Sequence, residues 1–419
     1  MRPARTCGLA MAAATGEERR AVTLLADANA PPSPPRSGTM RIFSILASPA
    51  PGGAEMLVRN LCAEFVGRGH ACHILFMSDA AGVGNPVRFE QEFLAGLTAD
   101  GVTYEVMKPS GFRNVLSDAR RLRRATEAFR PDILHVHLAR GLMCRSLSGI
   151  RVPTVYTHHN VTTNFSPLLF KLFDRSVDHY VAIGQACREL LEKHVRKPIT
   201  SIPNGVPVSF SQGGPGRKLS AEPFILAVGN LSPKKDYAAL VEAAVAVVPR
   251  LAAQGRTARF AIAGEGPERG RIERLIEERG LSGRFELLGA RPDVAALMRQ
   301  ADILVNSSVH EGLPITLIEA AMSGLPAVAT DVGGNAEVVL DGRSGFVVPA
   351  GQPHALADRI VALLTDERLH AAFSEAALAH AKKFTIAACA DAHLALYRSL
   401  RTPPGYPSVS DTGRPRAAR

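Results

Sequence analysis

Short apolar strand patterns alternate with amphipathic helix patterns along this chain from Arg41 onward. The apolar run from Ile42 to Ala47 leads through a loop of small residues to a helical pattern from Glu55 to Arg68, and a second strand pattern follows at Cys72 to Met77. This order describes a βαβ unit, in which a crossover helix joins two parallel strands. We therefore expect an α/β protein with doubly wound parallel sheets.

The alternation occurs twice. The strand patterns of the first run end at Ile199–Ile202, and those of the second begin at Phe224–Val228 after a stretch containing Gly, Ser and Pro. Because 419 residues exceed one typical domain of ~100–200 residues, we predict a Rossmann-like domain at 40–208, a hinge at 209–222 and a second Rossmann-like domain at 223–384. The other predicted strands are Thr103–Met107, Asp132–Leu138, Val152–Thr157, Tyr180–Ile183, Arg259–Ala263, Phe285–Leu288, Ile303–Val305, Ala327–Thr330 and Phe346–Val348.

The two ends of the chain lack this alternation. Residues 1–39 show no apolar periodicity, and their apolar stretches are too short and interrupted for a secretory signal. We expect 1–39 and 402–419 to be disordered, with Met40 as an alternative start. No uncharged apolar run approaches the ~18 residues that span a bilayer. The six cysteines form no C-x-x-C pair, which favours reduced core thiols and a cytoplasmic protein.

The net charge of +10 is unevenly placed. Residues 40–208 hold 20 Lys and Arg against 14 Asp and Glu, whereas 209–401 hold 21 of each. A basic cluster on a predicted helix of the first domain could meet an anionic membrane or an anionic acceptor, or could be a solvated helix face. Its members are Arg120, Arg121, Arg123, Arg124 and Arg130.

Two loops that follow predicted strands suit a diphosphate. Ligands of open α/β sheets bind beyond the carboxyl ends of the strands, so two facing domains place a ligand in a central cleft. Gly52 and Gly53 let backbone N–H groups approach an anion at a helix N-terminus, although a plain Gly-rich connection would look the same. Lys234 and Lys235 could stabilise a departing diphosphate or be solvated, and Lys235 is the better candidate.

A third loop contains Gly264 and Gly266, which resemble half of a dinucleotide fingerprint. The acidic residue that should close the next strand is displaced, because Glu286 lies in mid-strand. Gly264 and Gly266 are the basis for an alternative hypothesis of a nicotinamide dehydrogenase. The chain contains no Asp-x-Asp sequence, so we expect no metal ion, and side chains must supply the cations.

The most informative stretch runs from Ser307 to Met322 and carries two glutamates eight positions apart. Pro314 suits a first helical turn, which leaves Glu311 in a strand-to-helix loop and Glu319 within the helix. Apolar neighbours surround Glu319, so its carboxylate would be costly unless it accepted strong hydrogen bonds. A ribose 2′,3′-diol is a natural partner, and a buried backbone or Arg partner is the structural alternative.

His158 and His159 end a first-domain strand and therefore point toward the cleft. Adjacent residues on an extended chain lie on opposite sides, so this pair cannot easily share one metal ion.

Taken together with the loops, glutamates and histidines described above, residues 40 to about 400 resemble a family 4 retaining glycosyltransferase (group 1) of the GT-B fold. The resemblance rests on Glu311 and Glu319, on the turn 331–334 and on the Ile-Pro-Asn-Gly-Val motif at 202–206. It implies that Glu311 faces the donor hexose, that Glu319 holds the ribose, and that His159 lies near the transferred sugar, with His158 as the second choice. It further implies that the donor is gripped by Gly52, Gly53, Lys234, Lys235, Gly264, Gly266, Glu311, Gly312, Leu313, Pro314 and Glu319.

The resemblance also implies an activity. A hexose would move from a nucleotide-diphosphate sugar to a hydroxyl acceptor with retention of configuration, without a metal or other cofactor, as the leaving diphosphate accepts the acceptor proton. Glu311, Lys235 and His159 would be the catalytic residues. The last helix, 385–401, would cross back to the first domain. The basic first domain suits a lipid-linked or anionic acceptor at the inner membrane face, as in envelope polysaccharide or glycolipid synthesis, and no nucleic acid partner is expected.

Two positions depart from the family pattern: Asn230 replaces an Arg, and Pro207 replaces an Asp. The loss of one diphosphate cation means that Lys234 compensates or that turnover is weak. Two alternatives therefore stay open beside the transferase and the dehydrogenase. They are a nucleotide-sugar epimerase or hydrolase of GT-B architecture, and a non-catalytic GT-B scaffold.

Overall fold

In the computed structural model, the first half of the chain forms a parallel sheet of seven strands in the order β3-β2-β1-β4-β5-β6-β7. The strand order reverses between β1 and β4, which places a crevice at their carboxyl ends. The structure describes residues 38–50, 52–83, 87–107, 114–162, 166, 168–212 and 219–401. The strands are β1 (Arg41–Leu46), β2 (Ala71–Phe76), β3 (Thr103–Val106), β4 (Ile133–Val136), β5 (Thr154–His158), β6 (His179–Ala182) and β7 (Ile199–Ser201).

A second parallel sheet of six strands has the order β10-β9-β8-β11-β12-β13, with its reversal between β8 and β11. Its strands are short, and two neighbouring ones, Ile303–Asn306 and Ala327–Thr330, are buried along their whole length, as expected when helices cover both faces of a sheet. They are β8 (Phe224–Val228), β9 (Arg259–Ala263), β10 (Phe285–Gly289), β11 (Ile303–Asn306), β12 (Ala327–Thr330) and β13 (Gly345–Val348).

The helices that cover the sheets bury one stripe each. The helix Val115–Phe129, for example, buries Asp118, Leu122 and Thr126 at four-residue spacing and leaves its arginines in solvent. The described helices are α1 (Gly53–Gly67), α2 (Val87–Ala99), α3 (Val115–Phe129), α4 (Ala139–Ser148), α5 (Leu168–Phe173), α6 (Gln185–His194), α7 (Tyr237–Ala252), α8 (Arg269–Glu278), α9 (Val294–Gln300), α10 (Ile315–Met322), α11 (Asn335–Val338), α12 (Pro353–Thr365), α13 (Glu367–Ala381) and α14 (Ile386–Leu400).

The predicted architecture of two doubly wound Rossmann-like domains is confirmed. All thirteen predicted strands are present, and their ends agree within two residues. The helix predicted from Glu55 begins earlier, at Gly53, because Gly52 is its N-cap. Pro314 is likewise the N-cap of α10, one position before the first helical turn in which it was expected.

The C-terminal helix α14 packs against α1 in the first domain. The backbone of Val206 brings it there, because Val206 N–H donates to Phe384 O and Val206 O accepts from Ile386 N–H, both at 2.9 Å. Gly205 permits this approach, since a Cβ there would lie 2.8 Å from the Ile386 Cα. The Ile-Pro-Asn-Gly-Val motif therefore fixes where the chain returns.

Several predictions concern residues outside the described part of the chain. These are residues 1–37 of the N-terminal extension, the tail at 402–419 and residues 213–218 of the hinge.

The cysteines that are described, Cys62, Cys72, Cys144, Cys187 and Cys389, are free and buried. Among the described helices, none combines the length and apolar character needed to cross a membrane.

Candidate active site

The loop between β11 and α10 holds Glu311 in a fixed position. Its Oε1 accepts hydrogen bonds from Lys235 Nζ at 2.5 Å, Ser308 Oγ at 2.7 Å and Asn306 Nδ2 at 3.3 Å. The side chains of Lys235 and Glu311 are only 14% and 10% exposed, so this ion pair is largely shielded from water. Nothing in the described residues contacts Oε2 of Glu311 by a hydrogen bond, which leaves one oxygen available to a ligand.

A buried polar shell behind Glu311 was missed by the sequence analysis. Asn306 Oδ1 accepts from the Ser308 backbone N–H at 3.1 Å and from Asn335 Nδ2 at 3.4 Å. Asn335 Nδ2 also donates to Thr330 O at 2.8 Å. Because Asn306 and Thr330 end neighbouring strands, the shell ties the loop to the carboxyl ends of these two strands. Polar residues that end two adjacent strand patterns were the signal that could have revealed it.

The turn at 331–334 holds the same loop from the other side. Gly334 N–H donates to Gly312 O at 2.7 Å. Gly333 adopts φ +54° and lies against the Glu311 carbonyl, where a Cβ would clash. Gly312 in turn lies against the backbone carbonyl of His159, so the loop reaches the first domain. The turn and the loop therefore form one rigid support for Glu311.

Glu319 lies eight positions beyond Glu311 in the chain, in the second turn of α10. It is half-buried, and its carboxylate has no hydrogen bond or ion pair within the described residues. Burial raises the pKa of Glu319 from 4.5 to about 8. A carboxylate that is costly to ionise and lacks a protein partner is suited to accept hydrogen bonds from a ligand.

The Gly52–Gly53 loop faces the second domain across the cleft. The space beside Gly53 ends at Ile315 Cδ1 in α10, 3.8 Å from where a Cβ would stand. The Glu55 carboxylate folds back against Gly52, and burial raises its pKa to about 7, although the positive charge of Lys234 acts in the opposite direction. Lys234 itself is exposed. The two predicted diphosphate loops thus lie within electrostatic reach of each other.

His158, the last residue of β5, and His159, which follows it, point in opposite directions, as the alternation of an extended chain requires. His158 turns into the first domain, where its Nδ1 lies 3.2 Å from the Tyr156 hydroxyl and its ring packs on Phe170. His159 is half-buried, and its Nε2 lies 3.0 Å from Nδ1 of His137, which ends β4. His159 is thus the one of the two whose backbone meets the Gly312 loop. His137 was not among the predicted site residues, although a His-x-His pattern lies at the end of the neighbouring strand β4.

At three other predicted donor contacts, Gly264, Gly266 and Leu313, the structure shows how the surrounding backbone packs. A Cβ on Gly264 or Gly266 would clash with the backbone of Gly229 or Leu231, so both glycines allow two loops to pack closely. Leu313 is buried, and its carbonyl accepts from Asn204 Nδ2 of the first domain at 2.7 Å. These positions shape the cleft through the backbone. Nowhere in the described residues do three or more His, Cys, Asp or Glu side chains gather in a group that could hold a metal ion.

Two family models match successive parts of the chain. The model described as Glycosyltransferase Family 4 matches residues 51–210, and the model described as Glycosyl transferases group 1 matches residues 215–380. The first covers most of the seven-stranded domain, and the second covers the six-stranded domain that carries Glu311 and Glu319.

Curated relatives agree with these matches. N-acetyl-alpha-D-glucosaminyl L-malate synthase of Bacillus anthracis is 25% identical over 358 residues, which cover 80% of this chain and 90% of that protein. The gpi3 subunit of phosphatidylinositol N-acetylglucosaminyltransferase from Schizosaccharomyces pombe is 27% identical, with 76% of this chain and 71% of the relative covered. Alpha-D-kanosaminyltransferase of Streptomyces kanamyceticus is 32% identical, but the match spans 43% of this chain and only 47% of that enzyme.

Solved structures share the fold. HepE of Anabaena, in complex with UDP, superposes with a TM-score of 0.72 at 21% identity and covers 86% of this chain and 100% of its own. Sucrose-phosphate synthase of Thermosynechococcus elongatus gives a TM-score of 0.68 at 19% identity, over 86% of this chain and 99% of that one. The solved structures show the GT-B fold, and the two family models, which together follow both domains, show that the chain belongs to the family 4 (group 1) glycosyltransferases.

Proposed function

We propose that this glycosyltransferase moves a hexose from a nucleotide-diphosphate sugar to a hydroxyl acceptor with retention of the anomeric configuration. The observation that carries the proposal is the pairing of two carboxylates on one loop and helix. Glu311 is held by Lys235, whereas Glu319 is half-buried and has no partner in the described part of the chain. Two such carboxylates suit a ligand with hydroxyl groups at both ends, and Lys235 between the loops suits a dianionic centre.

Glu319 and Glu311 then divide the donor between them. The two oxygens of Glu319 would accept hydrogen bonds from the ribose diol, which compensates the cost of ionising a half-buried carboxylate. The Oε1 of Glu311 is already engaged by three donors, so Oε2 would accept from a hexose hydroxyl. HepE, a neighbour in fold, was solved with UDP and with UDP-glucose, which supports a nucleotide-sugar donor for this chain as well.

The diphosphate would lie between the Gly52–Gly53 loop and the lysine loop. Lys235 would stabilise the charge that develops on the departing diphosphate, and Lys234 would take the place of the cation lost at Asn230. The acceptor hydroxyl would give its proton to a diphosphate oxygen, so no protein nucleophile and no metal ion would take part. In this assignment residues 40–208 are the acceptor side, 209–222 the hinge, 223–384 the donor side and 385–401 the helix that ties them.

The proposal is tested by donor binding followed by product analysis. UDP-, GDP- and ADP-sugars are screened for thermal stabilisation, and one base is expected to raise the melting temperature. With that donor and a hydroxyl acceptor, a glycoside of unchanged anomeric configuration should form at full rate in excess chelator. Free sugar or an epimer without a glycoside would identify the hydrolase or epimerase instead, and binding without turnover would identify a scaffold. A strict need for Mg²⁺ would contradict the role given to the lysines.

The acceptor side suits an anionic membrane and a lipid-linked or anionic acceptor. On α3, Arg120, Arg121 and Arg124 are exposed and form no ion pair within the described residues, and Leu116 at the start of the same helix is 60% exposed. Arg123, in contrast, is paired with Glu127 at 2.7 Å. The exposed arginines support a proposed role at the inner membrane face, in envelope polysaccharide or glycolipid synthesis.

Reversing these three charges is expected to abolish binding to vesicles that contain anionic lipid. Each arginine contributes about 1 kcal/mol near such a surface, so R120E/R121E/R124E should weaken partitioning by at least about 100-fold. Flotation with anionic and with neutral vesicles measures the effect, and Arg274→Glu on α8 is the control for a change in charge alone. Equal binding by the triple variant would remove this face from the proposal.

A further inference from the structure

A row of aromatic rings runs through the first domain from the cleft to the C-terminal helix. It consists of His159, His137, His135 and Tyr397, and we call it the histidine row. His159 and His137 are stacked with centroids 5.2 Å apart, His137 and His135 have centroids 4.0 Å apart, and the Tyr397 hydroxyl lies 2.6 Å from His135 Nδ1. Only His159 is half-buried, and the other three are buried.

The inner end of the row is fully bonded. His135 Nδ1 meets the Tyr397 hydroxyl, and His135 Nε2 meets Thr157 Oγ1 at 2.7 Å. Both nitrogens of His135 therefore have partners other than His137, so His135 meets the His137 ring by packing alone, and on another side it packs against His393. In this way α14 fixes His135, and His135 fixes the plane of the His137 ring.

The burial of His137 and His159 bears on which of the two rings donates the hydrogen bond between them. Burial lowers the pKa of His159 to about 3 and holds that of His137 well below its usual range, so each ring is neutral and carries one N–H. One ring must donate, from His137 Nδ1 or from His159 Nε2.

The unpartnered atom of His137 distinguishes the two directions. Its Nε2 is buried and has no hydrogen-bond partner in the described part of the chain. If His159 donated, the His137 proton would sit on that Nε2 as an orphaned buried N–H, which is rare in proteins. If His137 donates from Nδ1, only a lone pair is left without a partner, and that costs less.

We propose that His137 is a positioning residue that donates from Nδ1 to His159 Nε2, so that the proton of His159 is held on Nδ1 and faces a ligand as a hydrogen-bond donor. The Nδ1 of His159 has no partner of its own within the described residues. A neutral imidazole N–H would bind a hydroxyl or ring oxygen of the transferred sugar. This last step rests on the proposed function, whereas the tautomer of His159 does not.

Two substitutions of His137 separate its hydrogen bond from its packing. The amide nitrogen of Asn lies near the position of the histidine Nδ1 and can donate to His159, whereas the Gln amide lies near Nε2 and cannot. We expect His137→Asn to keep kcat within about threefold of the wild type and His137→Gln to lower kcat roughly tenfold, the value of one hydrogen bond. The KM for the donor should change less than kcat.

The tautomer is read directly from ¹⁵N-histidine NMR spectra of the full chain, without turnover. In the wild type and in H137N, His159 should be protonated on Nδ1, and in H137Q the proton should redistribute to Nε2. A wild-type His159 protonated on Nε2 would overturn the proposal, as would equal losses of kcat in H137N and H137Q. The expected tautomer in a chain that transfers no sugar would instead refute the proposed function and leave the role of His137 in place.

Discussion

Lys235→Ala is expected to lower kcat/KM for transfer by roughly 100- to 1,000-fold, the usual loss when one preorganised group that stabilises developing charge is removed. Two effects combine in this variant. The diphosphate would lose the cation nearest to Glu311. The Glu311 carboxylate, which is only 10% exposed in the wild type, would lose its charged partner. An unpaired carboxylate at this depth is costly, so the Glu311 side chain would move, and the hexose contact would change with it.

Lys234→Ala is the matched control for Lys235→Ala. Lys234 is the adjacent residue, carries the same charge and is exposed, and its backbone carbonyl only accepts from Val309 N–H at 2.9 Å. Because Lys234 is the second cation proposed for the diphosphate, its removal should also lower kcat/KM, but by less than tenfold, since its charge is screened by solvent. Initial rates at varied donor concentration measure both variants. If Lys234→Ala proved the more damaging, Lys234 would be the main diphosphate cation, and the role assigned to Lys235 would be wrong.

The double variant K235A/E311Q separates the two effects. If the loss in Lys235→Ala comes mainly from the unpaired Glu311, neutralising Glu311 should recover part of the rate, and the two changes will not be additive. If it comes mainly from the lost diphosphate cation, the double variant should be at least as slow as Lys235→Ala. The cycle therefore measures how far the ion pair at 2.5 Å acts as a unit.

The fold could be predicted because its signals are local. Each strand is a short apolar run between loop residues, and the right-handed crossovers of βαβ units put helices on both faces of a sheet whose strand order reverses. The strand-to-helix rule also placed Glu311 in a loop and Glu319 in a helix, where the structure has them. The strand ends and the helix starts at Gly53 and Ile315 differed from the structure by one or two residues, and the caps account for the two helix starts.

The partners of the site residues could not be predicted from the sequence alone. Lys235 and Glu311 are 76 positions apart, and His137 and His159 are 22 apart, so only the assembled sheets bring them together. The same holds for Gly264, whose pattern resembled a dinucleotide motif but whose lack of a side chain serves packing against Gly229. A motif gives the residue type at a strand end, and the neighbouring strands decide what it meets.

Glu319→Gln is expected to weaken nucleotide binding by roughly 10- to 100-fold, because hydrogen bonds to a charged acceptor contribute about 1.5–3 kcal/mol. Glu311→Ala, in contrast, should chiefly slow transfer, since it removes a hexose contact and leaves the ribose contact in place. Isothermal titration of the cognate nucleotide and initial rates distinguish the two. If both variants kept wild-type affinity and rate, neither glutamate would hold the donor.

The pH dependence of affinity should carry the signature of Glu319. With a pKa of about 8, the carboxyl is mostly protonated at pH 7 and ionised above pH 8. Since the ionised form accepts from both ribose hydroxyls, wild-type affinity should rise with pH through about 8, and that of Glu319→Gln should not. Glu55→Gln is the control, because Glu55 has a pKa of about 7 but lies against Gly52 and would repel a diphosphate. Replacing the Glu55 carboxylate by an amide should leave nucleotide affinity intact or increase it.

The stability of the protein without nucleotide should change in the opposite sense to affinity. The folded-state pKa of Glu319 lies above its ordinary value of 4.5, so as pH rises from about 4.5 to 8 the unfolded chain releases this proton first and the free energy of unfolding falls. Glu319→Gln removes that penalty, which is on the order of a few kcal/mol. Its melting temperature should therefore exceed that of the wild type at pH 8 and match it near pH 4.5. A variant that is more stable and yet binds nucleotide less tightly would mean that Glu319 is retained for the donor, whereas a variant less stable at pH 8 would assign this carboxylate to the fold.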